Sequence, residues 1–148
     1  MLNYFDNAQR GRKEYYRSLE PVCRRWELTR NELDIILFLA NNPTLNRASD
    51  IVTRRGIAKS HVSQSVSQLE SRGYLKARQD PADRRITRLS LTSEAAEPAA
   101  QAQAAQRAFF SQVLKGLTQE DIALWHHLME KVWDNLETME KVSDSNMN

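Results

Sequence analysis

The sequence predicts a mainly α fold in which one short β hairpin forms an α+β wing. Three observations carry this. Apolar residues recur at three- and four-residue steps through most of the 148 positions, the period of an amphipathic helix. One stretch, residues 74–91, alternates like a strand pair around a central turn sequence. Capping and stop signals divide the rest into helices. The length suits a single domain, 1–148, long enough to bury a sizeable core.

Each element has its own signal. Tyr4, Ala8, Tyr15, Leu19, Val22 and Trp26 lie on one stripe of a first helix. Pro21 falls inside that stripe and predicts a kink or break near Arg17 to Pro21, because its ring removes an N–H donor. Thr29-Arg-Asn-Glu32 reads as a capping box leading into the apolar run Ile35 to Ala40, and Asn41-Asn42-Pro43 ends that helix. A third helix covers roughly Arg47 to Arg55, closed by Gly56. In the fourth, residues 59–72, Val62, Val66 and Leu69 form a narrow core-facing stripe. Ser60, Gln64, Ser67 and Gln68 occupy the opposite face, with His61 on the flank, and Gly73 ends the helix.

Two strands follow, Tyr74–Gln79 and Arg85–Leu91, joined through Asp80-Pro-Ala-Asp83, which places Asp at i and Pro at i+1 of a type I turn. Thr92 is the expected cap of an Ala- and Gln-rich helix, Ala95 to Ala108, that continues into Phe110, Val113, Leu114 and Leu117 before Gly116 breaks it. Thr118-Gln-Glu-Asp121 caps a last helix whose stripe is Ile122, Trp125, Leu128/Met129, Val132, Leu136 and Met139. Apolar stripes of that length favour an obligate dimer. Ser143 to Asn148 read as a frayed tail.

Composition excludes several function classes. The longest wholly apolar run, Ile35 to Ala40, is too short to span a bilayer, and the N-terminal residues lack the apolar core of a secretory signal. The single Cys23 excludes an intrachain disulfide framework and suits a reducing compartment, so a cytoplasmic location is expected. No Gly-rich phosphate loop or catalytic motif is visible; no catalytic residue, metal or cofactor is expected.

The net charge of +2 conceals a strong polarity. Residues 53–88 hold nine basic residues against three acidic; residues 89–148 hold four against nine. The basic block is the electrostatic footprint of a phosphate-contacting surface. It coincides with the Ser/Gln face of the fourth helix and with the hairpin. The order helix, helix, helix, strand, strand therefore reads as a winged helix-turn-helix. A Gln can pair bidentately with adenine N6 and N7, and Ser serves base or phosphate. Lys59 and the backbone N–H groups at the helix start suit a phosphate. The hairpin cations, Arg78, Arg84 and Arg85 among them, can reach phosphate and a narrow minor groove.

Three stretches carry a family resemblance. They are Val62 to Leu75 with Leu69-Glu70…Gly73, the wing Asp80-Pro-Ala-Asp-Arg-Arg85, and Leu89-Ser-Leu-Thr92. Together they resemble the MarR family of bacterial regulators, with Thr29 to Ala40 similar to its second helix. The resemblance implies a homodimer in which 29–92 form the winged lobe and the helices of 1–28 and 93–142 form the dimerisation region. It implies a pseudo-palindromic double-stranded DNA operator and repression relieved by a small phenolic or anionic effector. By position, Ser60, His61, Ser63, Gln64 and Gln68 would face DNA, Arg85 and Arg84 would enter the minor groove, and Asp83 would position the wing tip. The chain departs from the family at Ala58, where a Ser cap is frequent, at Ala95, where a Gly is, and at Arg55, which replaces an apolar residue and is expected to add a phosphate contact.

Other residues allow further readings. Cys23, on the first helix beside Trp26 and with no resolving partner, reads as a small buried thiol in preference to an oxidant sensor. His126 and Glu130 share a helix face at i, i+4, leaving open a helical-bundle enzyme or metal-binding protein, although no zincin motif surrounds them. A helical protein-interaction adaptor is a third class. Tyr15, Arg17, Arg24 and Trp26 are candidates to line an effector cleft in which an Arg would hold a carboxylate.

Overall fold

The computed structural model describes residues 3–145. The element order is α1 (Tyr4–Trp26), α2 (Arg30–Asn41), α3 (Ala48–Arg55), α4 (Lys59–Ser71), β1 (Leu75–Gln79), β2 (Thr87–Leu91), a 3₁₀ turn (Ser93–Ala95), α5 (Ala96–Val113) and α6 (Gln119–Ser145). The chain divides into two compact units, one ending at Phe109 and the other beginning at Phe110.

Helix α2 is the axis of the first unit. Its Ile35-Ile36-Leu37-Phe38-Leu39 run is buried on every face, so the sequence is apolar all round where neighbours surround it. Leu19 and Val22 of α1, Ile51 of α3, Val62, Val66 and Leu69 of α4, Leu75 of β1 and Leu89 of β2 complete the same cluster. The capping box forms as expected: the Thr29 hydroxyl accepts from the Glu32 amide at 3.2 Å, and the Glu32 carboxylate accepts from the Thr29 amide at 2.7 Å. Gly56 takes φ 63° as the αL residue that ends α3, and Gly73 takes φ 77° where the chain turns from α4 into β1.

Several expectations are corrected. Helix α1 runs through Pro21 without a break. The ring removes one hydrogen bond, but Leu19 and Val22 on either side are anchored in the core, and that packing holds the turn in register. Ala8 of the proposed stripe is exposed, and the side chain of Tyr4 lies outside the described residues. Thr92 makes no side-chain cap. Its hydroxyl donates instead to the Gly73 carbonyl and its amide to the Tyr74 carbonyl, which closes the base of the hairpin. Helix α6 continues through Ser143 to Ser145, while Asn146 to Asn148 lie outside the described residues.

The strands pair antiparallel, Leu75 opposite Leu91 and Gln79 opposite Thr87. Both the hairpin and its mount depend on side chains. Asp80 accepts from the amides of Ala82 (2.8 Å) and Asp83 (3.3 Å), the Asx geometry that an Asp-Pro turn favours. Arg88 donates from Nε to Asp80 and from Nη1 to Asn46 at 3.0 Å. The Leu89 amide donates to the Asn46 carbonyl at 2.7 Å. The hairpin is thus fastened to the α2–α3 loop.

In the second unit, Thr118 and Asp121 cap α6 reciprocally at 2.9 and 3.1 Å. Its apolar stripe is largely solvent-facing: Trp125, Leu128, Val132, Leu136 and Met139 are all exposed. Among the described residues no helix is long and apolar enough to cross a membrane.

Candidate nucleic-acid interface

Helix α4 separates two chemistries by its period. Val62, Ser65, Val66 and Leu69 are buried, and Lys59, Ser60, His61, Ser63, Gln64, Ser67 and Gln68 are exposed. The outward face consists of amide and hydroxyl groups with one imidazole and one terminal cation, a set able to donate and accept in one plane. Ala58 provides no side-chain cap, so the first N–H groups of α4 stay open to an outside acceptor. Lys59 stands beside them and adds positive charge at the positive end of the helix dipole.

The wing tip supplies the second surface. Arg78, Asp83, Arg84 and Arg85 are exposed. The Asp83 carboxylate accepts from the Arg85 amide at 3.0 Å, and the Ile86 amide donates to the Asp83 carbonyl at 2.9 Å. Asp83 therefore orders the backbone that carries both arginines. Asp80 beneath it is held below the usual carboxylate range by the Arg88 hydrogen bond and by the Ala82 and Asp83 amides.

Three cations of the basic block are engaged elsewhere. Arg55 is turned inward, with Nε 3.7 Å from Oδ1 of the buried Asp34 and its guanidinium 5.3 Å over the Phe38 ring. The expected phosphate contact from Arg55 is thereby corrected: a carboxylate buried on α2 captures the guanidinium. Arg72 donates to backbone carbonyls, and Arg88 braces the wing. Charge counting along the sequence could not have separated these three from Arg84 and Arg85. The Asp34 partner is the fifth residue of α2, directly before the apolar run Ile35 to Ala40, and an acid adjoining that run was the available signal.

The four effector candidates do not converge. Tyr15 and Trp26 face α5, where the Tyr15 hydroxyl accepts from Gln106 at 2.9 Å and the Trp26 indole donates to Gln101 at 3.0 Å. Arg17 pairs with Glu14 on the surface at 2.7 Å, and Arg24 is exposed. A cleft of about 820 Å³ lies instead beside α1 and the start of α2. Arg10, Arg12, Lys13 and Arg30 line it with Tyr16 and Ile57, and none of the four candidates does. Each of these aromatic candidates sits on the α5 side of α1, so an i, i+4, i+7 pattern identified the seam and not the cleft.

Burial raises the Cys23 thiol above its ordinary value, which keeps the reactive thiolate scarce at neutral pH. Around His126 and Glu130, as elsewhere among the described residues, no group of three or more His, Cys, Asp or Glu side chains could hold a metal ion. His126 packs edge-on against Trp125.

Comparison with known proteins agrees with this geometry. Residues 26–86 match the model of the MarR family. A transcriptional repressor of the helix-turn-helix type from Pseudomonas putida, IacR, is 25% identical over 116 residues, 76% of this chain and 70% of that protein. The fold superposes on that of a protein from Listeria monocytogenes, described as a MarR family transcriptional regulator and crystallised with 26mer DNA, with TM-score 0.80. That match has 15% identity and covers 92% of this chain and 90% of the other. It also superposes on Bordetella bronchiseptica BpsR with TM-score 0.67, 18% identity and coverage of 90% and 94%. The DNA binding of BpsR is described as regulated by 6-hydroxynicotinic acid.

Proposed function

We propose that the chain, whose residues 26–86 match the model of the MarR family, is a member of that family of DNA-binding transcriptional regulators and a homodimeric, ligand-responsive repressor of a pseudo-palindromic operator. The observation that carries the reading is the uncharged Ser/Gln face of α4 set beside an exposed, Asp83-ordered pair of wing arginines. Helix α4 enters the major groove of each half-site. There Gln64 and Gln68 pair with adenine, and Ser60, His61, Ser63 and Ser67 reach base edges or phosphates. Lys59 and the α4 N-terminus hold one phosphate, Arg78 another, and Arg84 and Arg85 follow the adjacent minor groove. This makes 29–92 the reading lobe. The helices of 1–28 and 93–142 form the dimerisation region, a role supported by the exposed apolar stripe of α6. With DNA as its partner, the protein works in the cytoplasm.

Repression is supported by the named role of the Pseudomonas putida relative. Ligand response is supported by the BpsR description and by the cleft at Arg10, Arg12, Lys13, Tyr16 and Arg30, whose cations suit an anionic effector. Such an effector changes operator affinity only through unequal binding to the DNA-competent and incompetent states of the dimer. Selection from a random duplex pool tests the reading. The expected product is a pseudo-palindrome with A·T pairs under α4, bound with a steep inverse dependence on salt. Recovery of no shared sequence, or affinity indifferent to salt, would refute it.

A further inference from the structure

Arg72 belongs by sequence to the phosphate-facing basic block, yet its exposed side chain folds back along the surface onto the chain's own backbone. Standing at the C-terminal end of α4, it donates from Nη2 to the Trp26 carbonyl at 2.7 Å and from Nη1 to the Glu27 carbonyl at 2.8 Å. The same guanidinium lies 5.1 Å over the Tyr74 ring. Its acceptors end α1, so a cation sits at the negative pole of that helix and satisfies carbonyls that have no partner within it.

The junction it grips is conformationally unusual. Glu27 adopts φ 52°, ψ 40°, and is the only non-glycine residue with positive φ among the described residues. A residue with a Cβ keeps that conformation when its surroundings hold it there. The Glu27 and Leu28 amides return to Arg24 and Cys23, at 3.4 and 2.9 Å, which leaves the carbonyls of Trp26 and Glu27 to Arg72. Beside this fork a cleft of about 490 Å³ separates the α1–α2 junction from α4. Gln64 and Gln68 line it from one side, Glu27 and Thr29 from the other, and Arg72 spans it.

We infer that Arg72 is a positioning residue for DNA binding. Its planar fork fixes the end of α4 to the end of α1, so that the dimer holds its two recognition helices at a set separation and tilt. The inference rests on the proposed reading of the chain as a DNA-binding dimer with α1 in the dimerisation region. Arginine is specifically suited to the task, because two carbonyls in one plane match its fork, whereas lysine offers a single point charge.

The test uses the full chain, its Arg72→Gln and Arg72→Lys variants, and two duplexes. One duplex is the sequence the wild type selects from a random pool; the other carries one extra base pair between its half-sites. Both variants are expected to bind the selected duplex about tenfold more weakly, as the loss of charge-assisted hydrogen bonds implies. Their salt slope should stay unchanged, and their preference for the selected spacing over the expanded one should fall. A phosphate-contacting Arg72 would behave differently: the salt slope of Arg72→Gln would drop by about one, and Arg72→Lys would restore it. That outcome overturns the inference, as does an Arg72→Gln protein with wild-type affinity and spacing preference. A wild type that selects no sequence would instead refute the DNA-binding reading itself, before either variant is measured.

Discussion

Replacing Arg55 with glutamine separates a structural cation from a DNA-contacting one. Asp34 is 3% exposed, Arg55 is 28% exposed, and Nε lies 3.7 Å from Oδ1. At that distance and an effective dielectric of about 20, the gross attraction is about 4 to 5 kcal/mol. Removing the carboxylate from water opposes it by several kcal/mol. Oδ1 and Nε make no hydrogen bond at this separation, so the net contribution of the intact pair is small. Deleting one partner is another matter. Burial already raises Asp34 above its ordinary pKa, and Arg55 is the largest of the influences that pull it back, ahead of Tyr16 and Arg12. Without Arg55 the carboxyl titrates higher still. We expect a stability loss of about 2 kcal/mol at neutral pH, below the range for fully buried pairs because the guanidinium is partly solvated.

The pH dependence has a definite sign. A carboxyl whose folded pKa exceeds its unfolded value disfavours the native state while it is ionised, and that penalty fades as pH falls through the folded pKa. The deficit of Arg55→Gln is therefore largest at neutral pH and shrinks on acidification. Asp34→Asn in the same chain removes the stranded charge and should recover most of the loss. Urea denaturation of the wild type, single and double variants at neutral and mildly acidic pH, with protein concentration held constant, gives the numbers. An equal deficit at both pH values, or one that Asp34→Asn leaves unrepaired, would refute this role for the pair. Operator binding by folded Arg55→Gln should keep the wild-type salt slope.

Arg85→Ala is expected to weaken operator binding and to make the salt slope shallower by about one; an unchanged slope in a salt titration would remove the wing tip from the DNA interface. Asp80, whose carboxyl is held below the ordinary range chiefly by Arg88, supports the wing at neutral pH and loses that role as pH falls through its folded pKa. Asp80→Asn should therefore speed hydrogen exchange at the Ala82 and Asp83 amides at pH 7, and equal protection would contradict this. Leu128→Asp places a charge in the exposed apolar stripe of α6 and should convert a dimer to monomer in sedimentation equilibrium; a persistent dimer would locate the interface elsewhere.

Much of the fold was legible because its signals are local. The Thr29 to Glu32 box, the Gly56 and Gly73 turns and the Thr118 to Asp121 cap each act over three or four residues, and the structure contains all of them. The buried triad Val62, Val66 and Leu69 needed only the helical period. Misreadings arose where a distant partner decided. Pro21 is tolerated because Leu19 and Val22 are anchored in the core. Thr92 abandons its cap for a carbonyl nineteen residues earlier. Tyr15 and Trp26 are claimed by glutamines of α5, a relation with no trace in the local pattern.

The charge distribution marks the same boundary. By itself the sequence determined that a block of nine cations coincides with the Ser/Gln helix and the Asp-Pro hairpin, because composition and turn chemistry are properties of contiguous residues. Only the tertiary structure decided which of those cations are engaged by partners within the chain. Arg55 answers to Asp34, Arg72 to the end of α1 and Arg88 to Asp80 and Asn46, whereas Lys59, Arg78, Arg84 and Arg85 remain at the surface. The physical reason is the length and flexibility of the arginine side chain: its backbone position allows several partners, and the fold selects among them by burying a carboxylate or presenting a helix end within its reach.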